Sequence, residues 1–213
     1  MTFTHRIPAP RAALLALALA GGSALLSACA PLVVGGAMLG GTLMVTDRRT
    51  SGAQLEDQAI ELKSVNRLRE ALGERGHISV TSYNRMVLIT GEVPDDAAKT
   101  TAEQVVAKVE NVKSTVNELG VMGSSSLTAR SNDAILTSKV KATFVDTKDL
   151  QANAIKVVTE RSVVYLMGRV TEKEGARAAD LARTVSGVQK VVRVFEYITE
   201  AELQDLQPKD VKK

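Results

Sequence analysis

From Leu55 to Leu72, the residues Leu55, Ala59, Leu62, Val65, Leu68 and Leu72 recur at spacings of three and four, the period of one helix face. Gly73 and Gly76 end that run. Ile78, Val80 and Ser82 alternate with polar residues, Asn84-Arg85 turns the chain, and Met86–Val93 returns; the pattern predicts a β-hairpin. Pro94-Asp95-Asp96 opens a second helix over 94–109, because proline and acidic residues suit a first helical turn. A last strand follows over 112–119. A strand, a crossover helix and a further strand make a parallel connection. The predicted unit is therefore αββαβ, with two helices on one face of a three-stranded mixed sheet.

The same order then repeats. Val87-Leu88-Ile89-Thr90-Gly91-Glu92-Val93 and Val164-Tyr165-Leu166-Met167-Gly168-Arg169-Val170 are both apolar strands ending in Gly-x-Val, offset by 77. The helical stretches 94–109 and 171–185 follow them, and then the strands beginning at Val112 and Val188, offset by 76. Ala59-Ile60 and Ala134-Ile135, upstream of the hairpins, are offset by 75. Near-constant offsets over about 70 residues mark an internal repeat. The predicted organisation is a first domain over 54–122, a polar linker over 123–128, a second domain over 129–199, and a flexible tail over 200–213. The fold class is α+β.

The N-terminal pattern is different. Residues 1–11 carry His5, Arg6 and Arg11 and no acid, and residues 12–26 form an apolar run of 15. That run is shorter than the roughly 20 residues of a spanning helix and has the layout of a signal peptide. Leu26-Ser27-Ala28-Cys29 follows it and resembles the bacterial lipobox, which implies cleavage after Ala28 and acylation of Cys29. Ala30 stands where an aspartate commonly retains such proteins at the inner membrane, so the resemblance implies the outer membrane. Residues 30–46 are apolar, glycine-rich and uncharged. They read as a tether near the bilayer surface, or as a second span at the lower limit of length. Asp47-Arg48-Arg49 reads as a polar break before the soluble part.

The repeated order of helix, hairpin ending Gly-x-Val, alanine-rich helix and basic-apolar strand resembles the BON domain. Val157-Val158-Thr159-Glu160, Val164–Glu174 and Val185-Ser186-Gly187-Val188 carry the resemblance in the second unit; the first matches more loosely. With the lipobox and Thr46-Asp47-Arg48-Arg49, the chain is similar to dual BON-domain outer-membrane lipoproteins. The resemblance implies a protein facing the periplasm that supports envelope integrity. It also implies that the first helix of the second domain binds anionic phospholipid such as phosphatidylglycerol or cardiolipin. Outer-membrane assembly proteins are the alternative partners, with the acyl chains then the sole membrane contact.

Charge agrees with that division. Residues 54–122 hold 8 basic and 11 acidic residues, net −3, whereas residues 127–200 hold 12 and 9, net +3. The second domain suits an anionic surface. In its first helix, Ser131 or Asn132 reads as the cap, with Asp133 in the first turn. Leu136, Val140 and Phe144, with Thr143, form the core stripe. Ile135, Ser138, Lys139, Lys141, Ala142 and Val145 lie beside it as candidate phospholipid contacts, in which apolar groups enter acyl chains while lysines meet phosphate. The bland reading of the same residues is that Ile135 and Val145 widen the core stripe. Relatives of this kind can carry an aromatic residue near the start of this helix; Ile135 stands there.

Composition excludes other chemistry. Aromatic residues make up 3% with no Trp, too few for a stacking platform on single-stranded nucleic acid, and the GXXG clamp of KH-type RNA domains is absent. A lone Cys excludes a disulfide framework. His77, which opens a predicted strand, reads as an exposed structural residue. Asp95-Asp96 and Glu172-Lys173-Glu174 read as helix caps. No catalytic residue, metal site or cofactor is expected.

Overall fold

The computed structural model describes residues 47–206; the signal peptide, Cys29 and the tether lie outside these residues. Helix α1 (Ser51–Leu72) starts at Thr50, whose side chain accepts a hydrogen bond from the Ala53 N–H. Strands β1 (His77–Tyr83) and β2 (Met86–Val93) pair antiparallel with Tyr83 opposite Met86. Helix α2 (Asp96–Ala107) is capped by Asp95, so Pro94 stands just outside it. Both β3 (Ser114–Asn117) and β4 (Gly120–Val121) run parallel to β2, in place of one continuous last strand.

The second domain repeats this order. Helix α3 (Leu127–Asp146) is followed by a single 3-10 turn at Ala152–Ala154 and by β5 (Ile155–Glu160) and β6 (Val163–Val170). Helix α4 (Glu172–Thr184) begins with a capping box between Thr171 and Glu174, and β7 (Lys190–Tyr197) runs parallel to β6. The expected αββαβ units and α+β class are thus present. The first half of the expected flexible tail, Glu200–Leu206, is a seven-residue helix, α5.

Strand alternation explains the layers. In β2, Val87, Ile89 and Val93 pack with Ile60, Leu68, Ala102 and Val106 of the helices. In β6, Val164, Leu166 and Val170 pack with Val140, Phe144, Ala178 and Ala182. The alternate residues point the other way. Tyr83 and Leu88 of the first domain meet Tyr165, Met167 and Val194 of the second in a third buried cluster. The two sheets therefore pack face to face, with helices on the outside.

Two buried aspartates anchor the helices to the hairpins. The β1–β2 turn has Asn84 and Arg85 at φ 49° and 69°, and the β5–β6 turn has Arg161 and Ser162 at 51° and 60°. Both are tight turns of the type that matches strand twist. Asp57, in mid-helix, accepts hydrogen bonds from the Asn84 and Arg85 N–H groups at 2.7 and 2.8 Å. Asp133 accepts from the Arg161 and Ser162 N–H groups, both at 2.8 Å. This pair is offset by 76, which brings Ile60 into correspondence with Leu136 rather than with Ile135. Asp57 sits on the core face of α1 with Ile60, Ser64, Leu68 and Leu72. The expected stripe is therefore corrected: Leu55 and Leu62 are 69% and 65% exposed, because the buried face is held by polar anchors as well as by apolar packing. Asp133 is likewise not in a first turn. The cap of α3 is Ser126, accepting from the Ala129 N–H at 3.1 Å, so the helix starts several residues before Ser131 and Asn132.

The repeated glycine has a steric cause. Gly91 has φ 113°, and a Cβ there would stand 1.9 Å from the carbonyl oxygen of His77. A Cβ at Gly168 would stand 2.5 Å from that of Ala154.

Candidate functional site

Helix α3 presents two unlike faces. Asp133, Leu136, Val140 and Phe144 are buried. All six candidate contacts, Ile135, Ser138, Lys139, Lys141, Ala142 and Val145, are exposed on the side away from them, Ile135 by 55% and Val145 by 71%. Neither apolar residue widens the core. The longer helix adds Leu127, 79% exposed, which the helical period places on the same side as Ser138 and Val145. Its only sequence signal was the Ser126-Leu127 junction, which reads as linker when the cap is placed at Ser131. The face runs 18 residues from Leu127 to Val145, about 27 Å at the rise of an α-helix. Neither Lys139 nor Lys141 is in an ion pair among the described residues.

A cleft of about 320 Å³ lies at the C-terminal end of this helix, lined by Lys141, Phe144 and Val145, by Asp47 and Arg49 of the entering chain, and by Tyr83 of the first domain. The entering residues are no mere polar break. The buried Arg48 guanidinium donates to both carboxylate oxygens of Glu174 at 2.6 and 2.8 Å, to the Arg169 carbonyl at 2.7 Å and to Gln151 Oε1 at 3.2 Å. The two-point geometry is the strong form of an arginine–carboxylate pair. Arg49 turns to the other domain. It donates to Asp57 at 2.8 Å and to Asp47 at 2.7 Å, and lies 4.1 Å from the centre of the Tyr83 ring. Asp47–Arg49 thus clasps both domains where the chain enters. Burial alone would raise the Asp57 and Glu174 pKa values, but hydrogen bonds reverse this and hold both below the usual carboxylate range. For Asp57 the donors are Ser82, Arg85, Arg49 and Asn84, and for Glu174 they are Arg48 and Thr171.

The far end of the seam between the sheets carries the opposite perturbation. Burial, then the nearby Glu92 and Asp133, push Glu160 up to about 7. An acid with a raised folded pKa binds more protons folded than unfolded between about 4.5 and 7, so its contribution to stability is present below that window and lost as pH rises through it. His77, lowered by burial and then by Arg130, acts in the other direction below its ordinary value of 6.5. Comparison with Glu160→Gln isolates the glutamate. In chelating buffer, the variant should gain on the order of 2 kcal/mol over the wild type between pH 5 and pH 8.5, read from urea midpoints. A difference independent of pH would show that Glu160 is not so perturbed.

Both halves of the chain match the model of the BON domain, over residues 56–123 and 132–199. The chain belongs to the BON-domain family. It is 37% identical over 183 residues to Outer membrane lipoprotein DolP of Haemophilus influenzae, covering 84% of this chain and 94% of that protein. It is also 31% identical over 154 residues to the 21 kDa hemolysin of Actinobacillus pleuropneumoniae, covering 71% and 79%. It is 29% identical over 148 residues to Osmotically-inducible protein Y of Escherichia coli, covering 66% and 72%. With the extent of the match to DolP, the chain is a dual BON-domain outer-membrane lipoprotein. No helix among the described residues is long and apolar enough to cross a membrane. Within these BON domains, the anchoring of the hairpins by Asp57 and Asp133 left no trace in the sequence, since a polar residue on a helix gave no sign of burial.

Proposed function

We propose that this lipoprotein reads anionic phospholipid in the inner leaflet of the outer membrane through helix α3 of its second BON domain, and supports envelope integrity from the periplasm. Cys29 carries the acyl anchor. The carrying observation is the outward face of α3, where Leu127, Ile135 and Val145 are exposed beside Lys139 and Lys141, which have no ion pair among the described residues. Apolar side chains enter the acyl boundary and ammonium groups meet phosphate, each lysine contributing on the order of 1 kcal/mol. The cleft gives further support, because Lys141 and Val145 share it with Asp47, where the chain arrives from the anchor side.

The test is sedimentation of residues 47–213 with phosphatidylcholine vesicles, with and without phosphatidylglycerol or cardiolipin, at low and high salt. Binding is expected only with anionic lipid and is weakened by salt. Ile135→Asp or Lys139→Glu should each lower affinity about tenfold, a change of about 1.4 kcal/mol. Equal binding to all vesicles, or none, would rule out α3 as a lipid reader.

A second reading is favoured by Leu55 and Leu62, exposed on the outer side of α1 in the acidic domain. That face suits a protein of the outer-membrane assembly machinery. Crosslinked partners lost on Leu55→Glu/Leu62→Glu, with lipid binding intact, would support it.

A further inference from the structure

The seam between the two sheets ends in three side chains that neither the lipid face nor the clasp uses. His77 begins β1 and stands opposite Glu92 of β2 in the hairpin register. Glu160 ends β5 of the other domain. One ligand atom from each lies within 4.8 Å of the others.

The three are not a satisfied polar cluster. Glu92 is fully buried, at 0% exposure. Its Oε2 accepts from the Ser125 N–H at 3.1 Å, but its Oε1 has no hydrogen-bond partner, and neither has the buried Nδ1 of His77. Arg161 Nε is 3.9 Å from Glu92 Oε1, beyond hydrogen-bonding distance, while its Nη1 is turned to Met122 Sδ at 3.4 Å. A buried carboxylate oxygen without a donor costs the full desolvation of that group, and such atoms are rare unless something else meets them.

An imidazole nitrogen with two carboxylate oxygens is a set that zinc and neighbouring transition-metal ions accept, whereas magnesium and calcium prefer oxygen alone. Ligands about 2.0 Å from a tetrahedral zinc stand about 3.3 Å apart, so side-chain rotation has only to draw these atoms together by about 1.5 Å. We propose that His77, Glu92 and Glu160 bind a divalent transition-metal ion, zinc foremost, and that this ion staples the first BON domain to the second. Three protein ligands leave the fourth position to water. The ion would take the place that Arg161 fills only at a distance.

The full chain in non-ionic detergent, stripped with chelator and dialysed, provides the test. Titration with zinc chloride should show one saturable site per chain and a rise in Tm that magnesium chloride does not reproduce. The imidazole resonances of His77 should move with zinc, a reading that needs no variant. Glu160→Gln and His77→Gln, which keep side-chain size, should each weaken zinc binding at least tenfold while leaving the far-ultraviolet circular dichroism unchanged. Absence of saturable binding, or His77 resonances that ignore zinc, would overturn the proposal and leave Arg161 and Arg130 as the counter-charges. Wild-type affinity in both variants would overturn it too, by placing the ion elsewhere.

Discussion

Replacing Asp57 with Ala is expected to destabilise the protein by about 3 to 5 kcal/mol, a large part of the 5 to 15 kcal/mol that holds a typical fold. Its carboxylate accepts from the Ser82 hydroxyl at 2.6 Å, from two turn N–H groups, and from Arg49. Removing it strands two backbone donors in a tight turn and leaves the largely buried Arg49 with only Asp47 and the Tyr83 ring. Asp133→Ala should cost less, about 2 kcal/mol, because that carboxylate meets the two turn N–H groups and no charged partner among the hydrogen bonds of the described residues. Urea unfolding of the two variants side by side measures the difference. Equal losses would mean that Arg49 adds nothing to the anchor.

Gly91→Ala is the second large effect, at about 3 kcal/mol or more. Two costs combine. The backbone there is in a region that an L side chain enters at roughly 1 to 2 kcal/mol, and the added methyl would stand 1.9 Å from a backbone oxygen of β1, which moves only if the hairpin opens. Gly168→Ala meets the carbonyl of Ala154 at 2.5 Å without the backbone penalty, so it should cost about 1 to 3 kcal/mol. Urea midpoints decide between them, and a Gly91→Ala variant as stable as the wild type would contradict the described register of β1 on β2.

Much of this architecture was legible because strand alternation and glycine placement are local. The Gly-x-Val endings fixed both hairpins, and Asn84-Arg85 marked its turn. The helices were harder. Leu55 and Leu62 fit the helical period as well as Ile60 and Leu68 do, and period alone does not say which stripe faces the sheet. The choice is made by Asp57, a buried polar residue whose partners Ser82, Asn84 and Arg85 lie on a distant hairpin. The same blindness moved the start of α3, since Asp133 after Ser131 and Asn132 reads as a first-turn acid when its true partners are 28 and 29 residues away. On the outward face of α3 the lysine and isoleucine pattern was readable, whereas its exposure was not. The seam left the weakest trace. The second faces of β2 and β6 mix Leu88 and Met167 with Thr90 and Glu92, and only a facing sheet reveals that the polar members are buried too.

That facing of sheets makes the chain a tethered partnership of two like halves rather than beads on a string. A nick in the Gly123–Ser125 stretch would leave the halves associated, because Tyr83 and Leu88 still need Tyr165, Met167 and Val194 to exclude water. Either half made alone would offer an open apolar sheet, and the readiest cover for it is the sheet of a second copy.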